Sequence, residues 1–108
     1  MYYISKKIEI AGAHRLQLDY DSPCTNLHGH NWQVEVFCKA EELDNNGMVV
    51  DFSYVSQVVK QLDHKCLNDV LDVNPTAENI ARWICERVPH CYKVSVQESA
   101  GNIAIYEK

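Results

Sequence analysis

Residues 28–39 read HGHNWQVEVFCK, and the alternation in this stretch decides the fold. Even positions carry His28, His30, Trp32, Val34, Val36 and Cys38. Odd positions carry Gly29, Asn31, Gln33, Glu35, Phe37 and Lys39. Successive strand side chains point to opposite faces, so this pattern predicts a half-buried antiparallel strand. Upstream, residues 2–14 place Ile4, Ile8 and Ile10 on an even face, with Lys7 and Glu9 opposite. Gly12 and His14 continue that even face. Pairing of the two strands would bring His14 to the rim that carries His28 and His30. The connection, residues 15–27, has no periodicity; loops of that length in small domains are usually functional or disordered.

Downstream, Asn45-Asn46-Gly47 signals a turn. Val55, Val58, Val59 and Leu62 follow at helical spacing, which predicts a helix over about 53–66. A second helix is expected after Asn74-Pro75, with Thr76 as N-cap, Glu78 in its first turn, and Ile80, Trp83, Ile84 and Val88 as its apolar stripe up to Pro89. Residues 91–98 alternate again, ending in Glu98 on the face of Tyr92, Val94 and Val96. Ser99-Ala100-Gly101-Asn102 turns the chain into a last strand, IAIYE. The order ββααββ is not interleaved as in doubly wound folds. It predicts an α+β protein: a four-stranded antiparallel sheet with two helices on one face.

The chain has 108 residues, 46% hydrophobic and 23% charged, which is ordinary for one globular domain over 1–108. A net charge of −5 without a basic run argues against nucleic acid as partner. There is no apolar run of about 18 residues for a membrane span. MYYISKKIEI lacks the apolar centre of a signal peptide, so a cytoplasmic location is expected. Five cysteines with no C-x-x-C spacing argue against a disulfide framework. Four of them lie in apolar or periodic stretches, whereas Cys24 lies in a polar loop, DYDSPCTN.

Four features carry possible chemistry. His14, His28 and His30 share a face and a rim; three neutral imidazoles with an open fourth position are the ligand set of a catalytic zinc site, and iron or copper would also accept them. Solvated histidines at a strand start are the alternative. Cys24, four residues before His28, reads either as an exposed thiol or as an acid/base or nucleophile beside a metal. Glu98 reads as an exposed strand end or as a carboxylate for a guanidine-like edge. Asp63-His64 is placed at the end of the first helix, as a solvated helix terminus or as an acid/base pair.

Taken together, AGAHRL (11–16), CTNLHGHNW (24–32), VVDF (49–52), LDHKCLND (62–69), PTAEN (75–79) and the ES of VQES (96–99) resemble the 6-pyruvoyl-tetrahydropterin synthase family of the tunnelling-fold superfamily. The likeness covers nearly the whole chain, although the chain is short for the family. It implies trimers closed into a barrel and usually stacked as hexamers. It implies zinc on His14, His28 and His30, and Cys24 as the base. Asp63 and His64 would form a proton relay, and Glu98 would anchor the pterin and join the relay, in a site shared between subunits. The implied substrate is 7,8-dihydroneopterin triphosphate. Two products are open, 6-pyruvoyl-tetrahydropterin or 6-carboxy-tetrahydropterin with acetaldehyde. The C-x-x-x-H-G-H spacing resembles the second branch, on the route to queuosine. A non-catalytic zinc-containing module of the same fold is a third reading, and Cys24 argues against it.

Overall fold

The computed structural model covers all 108 residues. Two long strands, β1 (Tyr2–His14) and β2 (His28–Ala40), pair antiparallel along their whole length, from Tyr2 opposite Ala40 to His14 opposite His28. Helix α1 (Phe52–Lys60) is followed by a two-residue strand β3 (Lys65–Cys66) and a short helix α2 (Leu67–Val70). Helix α3 (Ala77–Arg87) leads into β4 (Cys91–Ser99) and β5 (Asn102–Glu107). The sheet order is β3-β1-β2-β4-β5. The architecture is thus α+β, as expected. The sheet has five strands rather than four, because β3 adds a short parallel pairing to the edge of β1 at Gly12 and Ala13.

The even faces make the core. Ile8 and Ile10, Trp32, Val34 and Val36, and Val94 and Val96 pack with Val55, Val58 and Val59 of α1 and Ile80 and Ile84 of α3 in one buried cluster. Trp32 is fully buried, and its removal would cost about 3–5 kcal/mol. Its indole N–H donates to the carbonyl of Gly12 (3.0 Å). A β-carbon at Gly12 would stand 3.3 Å from that indole nitrogen and 3.4 Å from the Leu67 methyls, so a larger residue there would need these side chains to give by a few tenths of an ångström. Cys38, Cys85 and Cys91 are buried as small apolar side chains, and all five cysteines are free. Burial pushes the Cys85 thiol up to about 12, which keeps it protonated.

The two longer helices, α1 and α3, are capped at their starts. The Asp51 carboxylate accepts from the Ser53 amide (2.8 Å), and the Thr76 hydroxyl accepts from the Asn79 amide (3.1 Å). The first helix is shorter than its periodicity predicts. It ends at Lys60 and tightens through i→i−3 bonds at Gln61, Leu62 and Asp63. Leu62 is buried and so extends the apolar pattern, but His64 adopts φ 57° and breaks the helix. Asp63 and His64 therefore lie beyond α1, not within it. No helix is long and apolar enough to cross a membrane.

Candidate metal centre

Antiparallel register brings the three histidines together. His14 closes β1 directly opposite His28, and His30 stands one step further along the same face of β2. Their rings lie with centroids 4.6 to 5.3 Å apart, at interplanar angles of 63° to 87°. Trp32 floors the group, edge-on to His14 (4.9 Å) and His30 (5.1 Å). A fourth residue joins them. Glu98 Oε1 lies 3.2 Å from His14 Nε2 and 3.5 Å from His30 Nε2. The four ligand atoms all lie within 4.8 Å of one another.

Backbone carbonyls set the tautomers. His14 Nδ1 donates to Pro75 O (2.8 Å), and His28 Nδ1 donates to Asn26 O (2.6 Å). Each ring then turns an Nε2 lone pair inward. These two nitrogens are 3.1 Å apart. Two facing lone pairs at that distance repel unless a cation lies between them. His14 is fully buried, and burial pushes its imidazole below its ordinary value, against the opposing pull of the Pro75 carbonyl. Its neutral form suits ligation. His30 Nε2 is buried with no hydrogen-bond partner. Orphaned nitrogen, inward lone pairs and an adjacent carboxylate are together the donor set of a divalent metal such as zinc.

The loop that bears Cys24 is ordered by local bonds. Pro23–Thr25 form a single 3₁₀ turn, capped by Ser22, whose hydroxyl accepts from the Cys24 amide (3.2 Å). The Cys24 carbonyl accepts from the Leu16 amide (2.8 Å), two residues past His14. Cys24 is exposed and is not one of the clustered ligands. Two asparagines fix the strand continuation. Asn68 bonds both the amide and the carbonyl of Arg15, and Asn74 does the same for Gln17. These clamps, and the role of the Pro75 carbonyl, escaped the sequence reading. Asn68 and Asn74 escaped because an asparagine that mimics a strand partner leaves no periodic trace.

Asp63 and His64 stand apart from the cluster. Asp63 Oδ1 accepts from the Ala11 amide (2.9 Å), and His64 N–H donates to the Ala11 carbonyl (2.6 Å). The left-handed turn at His64 lets its Nδ1 reach Asp63 Oδ1 at 3.1 Å. The Ala11 amide, and next the His64 ring, hold the Asp63 carboxyl below the usual carboxylate range. His64 borders an open groove of about 490 Å³ built on the small residues Ala11, Ala13 and Gly29.

The family profile of 6-pyruvoyl tetrahydropterin synthase matches residues 3–108. The chain belongs to this family. Among relatives, a 6-carboxy-5,6,7,8-tetrahydropterin synthase of Synechocystis is 35% identical, over 98% of this chain and 93% of its own. The human 6-pyruvoyl tetrahydrobiopterin synthase is 32% identical, over 96% and 90%. The structure of the Caenorhabditis elegans 6-pyruvoyl tetrahydropterin synthase superposes with a TM-score of 0.77 at 25% identity, covering 99% of this chain and 95% of that one. The five-stranded sheet, with helices over its even face, is therefore the fold of a tetrahydropterin synthase.

Proposed function

We propose that the chain is a cytoplasmic, zinc-dependent 6-carboxy-5,6,7,8-tetrahydropterin synthase. It takes 7,8-dihydroneopterin triphosphate and water to 6-carboxy-tetrahydropterin, acetaldehyde and triphosphate, a step toward queuosine and other deazapurines. The observation that supports this most is the convergence of three imidazole lone pairs on one point in a chain of this family. Zinc held by His14, His28 and His30 supplies Lewis acidity toward the adjacent hydroxyls of the substrate side chain.

The remaining work falls to the chain's own groups. Cys24, on its pinned turn beside the rim, accepts the proton removed from the side-chain carbon. Asp63 orients His64, which moves protons at the side-chain oxygens; in an assembled ring this pair serves a neighbouring subunit's centre. Glu98 accepts two N–H bonds from the pterin edge. The three-residue interval between Cys24 and His28 favours the carboxy product, as does the similarity to the Synechocystis synthase. Similarity to the human protein supports the pyruvoyl product as the second reading.

Product analysis separates the readings. The purified protein, given dihydroneopterin triphosphate, is coupled to alcohol dehydrogenase and NADH. NADH loss stoichiometric with triphosphate release is expected. Triphosphate release with a pyruvoyl pterin by mass spectrometry and no NADH loss would assign the other branch. No turnover of either kind would leave the non-catalytic module.

A further inference from the structure

Glu98 sits where a fourth ligand belongs. A tetrahedral centre with bonds of about 2.0–2.1 Å to nitrogen and oxygen has donor atoms about 3.3–3.4 Å apart. Three contacts in the cluster fall close to that edge length: His14 Nε2 to His28 Nε2 at 3.1 Å, His14 Nε2 to Glu98 Oε1 at 3.2 Å, and His30 Nε2 to Glu98 Oε1 at 3.5 Å. Three of the six donor pairs thus lie near tetrahedral edge length, and all four donor atoms lie within 4.8 Å of one another, within reach of one ion.

Glu98 reaches the cluster from the end of β4. In the β4–β5 ladder Gln97 pairs with Ile103 and Ser99 with Asn102, so Glu98 falls at the register shift and has no partner. Alternation keeps its side chain on the face of Val94 and Val96, the face that carries the histidines, while the bulge leaves it without a partner on β5. The turn that follows uses Gly101 at φ 82°, which frees β4 to end there. On its other side the Glu98 side chain borders an open groove beside Ala77, Asn102 and Ala104, and it is 29% exposed. The carboxylate stands between the metal cluster and open space. It has two places to go.

We propose that Glu98 is the fourth metal ligand of the pterin-free protein and leaves the metal when a pterin binds. A carboxylate with three neutral imidazoles lowers the net charge of a divalent centre to +1 and closes it against water and stray anions. A pterin presents paired N–H donors, which a carboxylate accepts better than a shared cation allows. Ligand exchange at Glu98 would then open the coordination position only when substrate is present. No bond beyond the coordination bond changes, and no proton is lost. The second half of this proposal rests on the pterin-handling reading above; the first half does not.

Cobalt(II) loaded into the metal-free chain reports the ligand set by its visible absorption, with no turnover needed. The spectrum of wild type should differ from those of Glu98→Ala and the isosteric Glu98→Gln, and both variants should bind cobalt more weakly by at least roughly tenfold. Circular dichroism establishes that each variant is folded. Adding neopterin to wild type should move its spectrum toward that of Glu98→Ala. Identical spectra and affinities in folded wild type and variants would overturn the ligation. A wild-type spectrum unmoved by bound neopterin would overturn the exchange. A protein that passes both tests yet makes no product would contradict the proposed function and leave this inference standing.

Discussion

His14 has the most demanding surroundings of any residue in the chain. It is fully buried, its Nδ1–H is taken by Pro75, and its Nε2 faces another imidazole and a carboxylate. Its depressed proton affinity makes a pH prediction for the chelated, metal-free protein. The folded-state value lies below the ordinary 6.5, so the unfolded chain binds the proton more readily. The neutral ring's contribution is complete above about pH 6.5 and is lost as pH falls below it. Urea midpoints should drop between pH 7.5 and 5.5, and His14→Gln should flatten that part of the dependence. Equal slopes in both proteins would refute the assignment. Cys24 is tested by Cys24→Ala, which should keep metal and fold but lose roughly 10²–10⁴-fold in turnover; wild-type rates would assign the base elsewhere. The three histidines were legible in sequence because strand periodicity fixes which face each occupies. Glu98 was legible as a carboxylate ending an apolar face, either an exposed strand end or a partner for a guanidine-like edge. Alternation puts it on the same face as Val94 and Val96, but its contact with His14 and His30 depends on β4 lying beside β2, and strand order has no signature in the residues around it.

At the scale of elements, the segment between α1 and α3 departs most from expectation. Helical spacing through Leu62 reads as one continued helix, yet only Phe52–Lys60 is α-helical. The competing interaction is tertiary. Both backbone groups of Ala11, on the edge of β1, are satisfied by Asp63 and His64, and that requires the left-handed turn. Local periodicity cannot reveal a partner 52 residues away. Capping at Asp51 and Thr76, by contrast, depends on adjacent residues, and Thr76 was read correctly. Asp63→Ala should leave the Ala11 amide without its acceptor and lower the denaturation midpoint. Asp63→Asn keeps an acceptor oxygen, so it should retain most stability while losing the charge that orients His64. Equal denaturation midpoints for wild type and Asp63→Ala would show that this bond is not holding the edge.

The whole molecule is a long, one-sided sheet, 51 Å in its greatest extent, with helices over the even face and the odd face bare. Strand β5 ends the sheet with Ile103 and Ile105 exposed at 55% and 61%. An open apolar edge of this kind is a liability in a lone subunit, and closure of several sheets into a ring would remove it. Assembly from trimers is the expected state, and Ile105→Lys should shift it to smaller species by light scattering. A wild-type chain that stays monomeric at micromolar concentration would contradict the ring. The central claim is that one divalent metal, held by His14, His28 and His30, makes this fold a tetrahydropterin synthase. Zinc titration into the chelated protein, with turnover of dihydroneopterin triphosphate read at each addition, tests it most directly. Turnover should rise from background and saturate at about one zinc per chain, and His28→Ala should show no such rise. Full turnover in the metal-free protein, or an unchanged titration in His28→Ala, would contradict the claim.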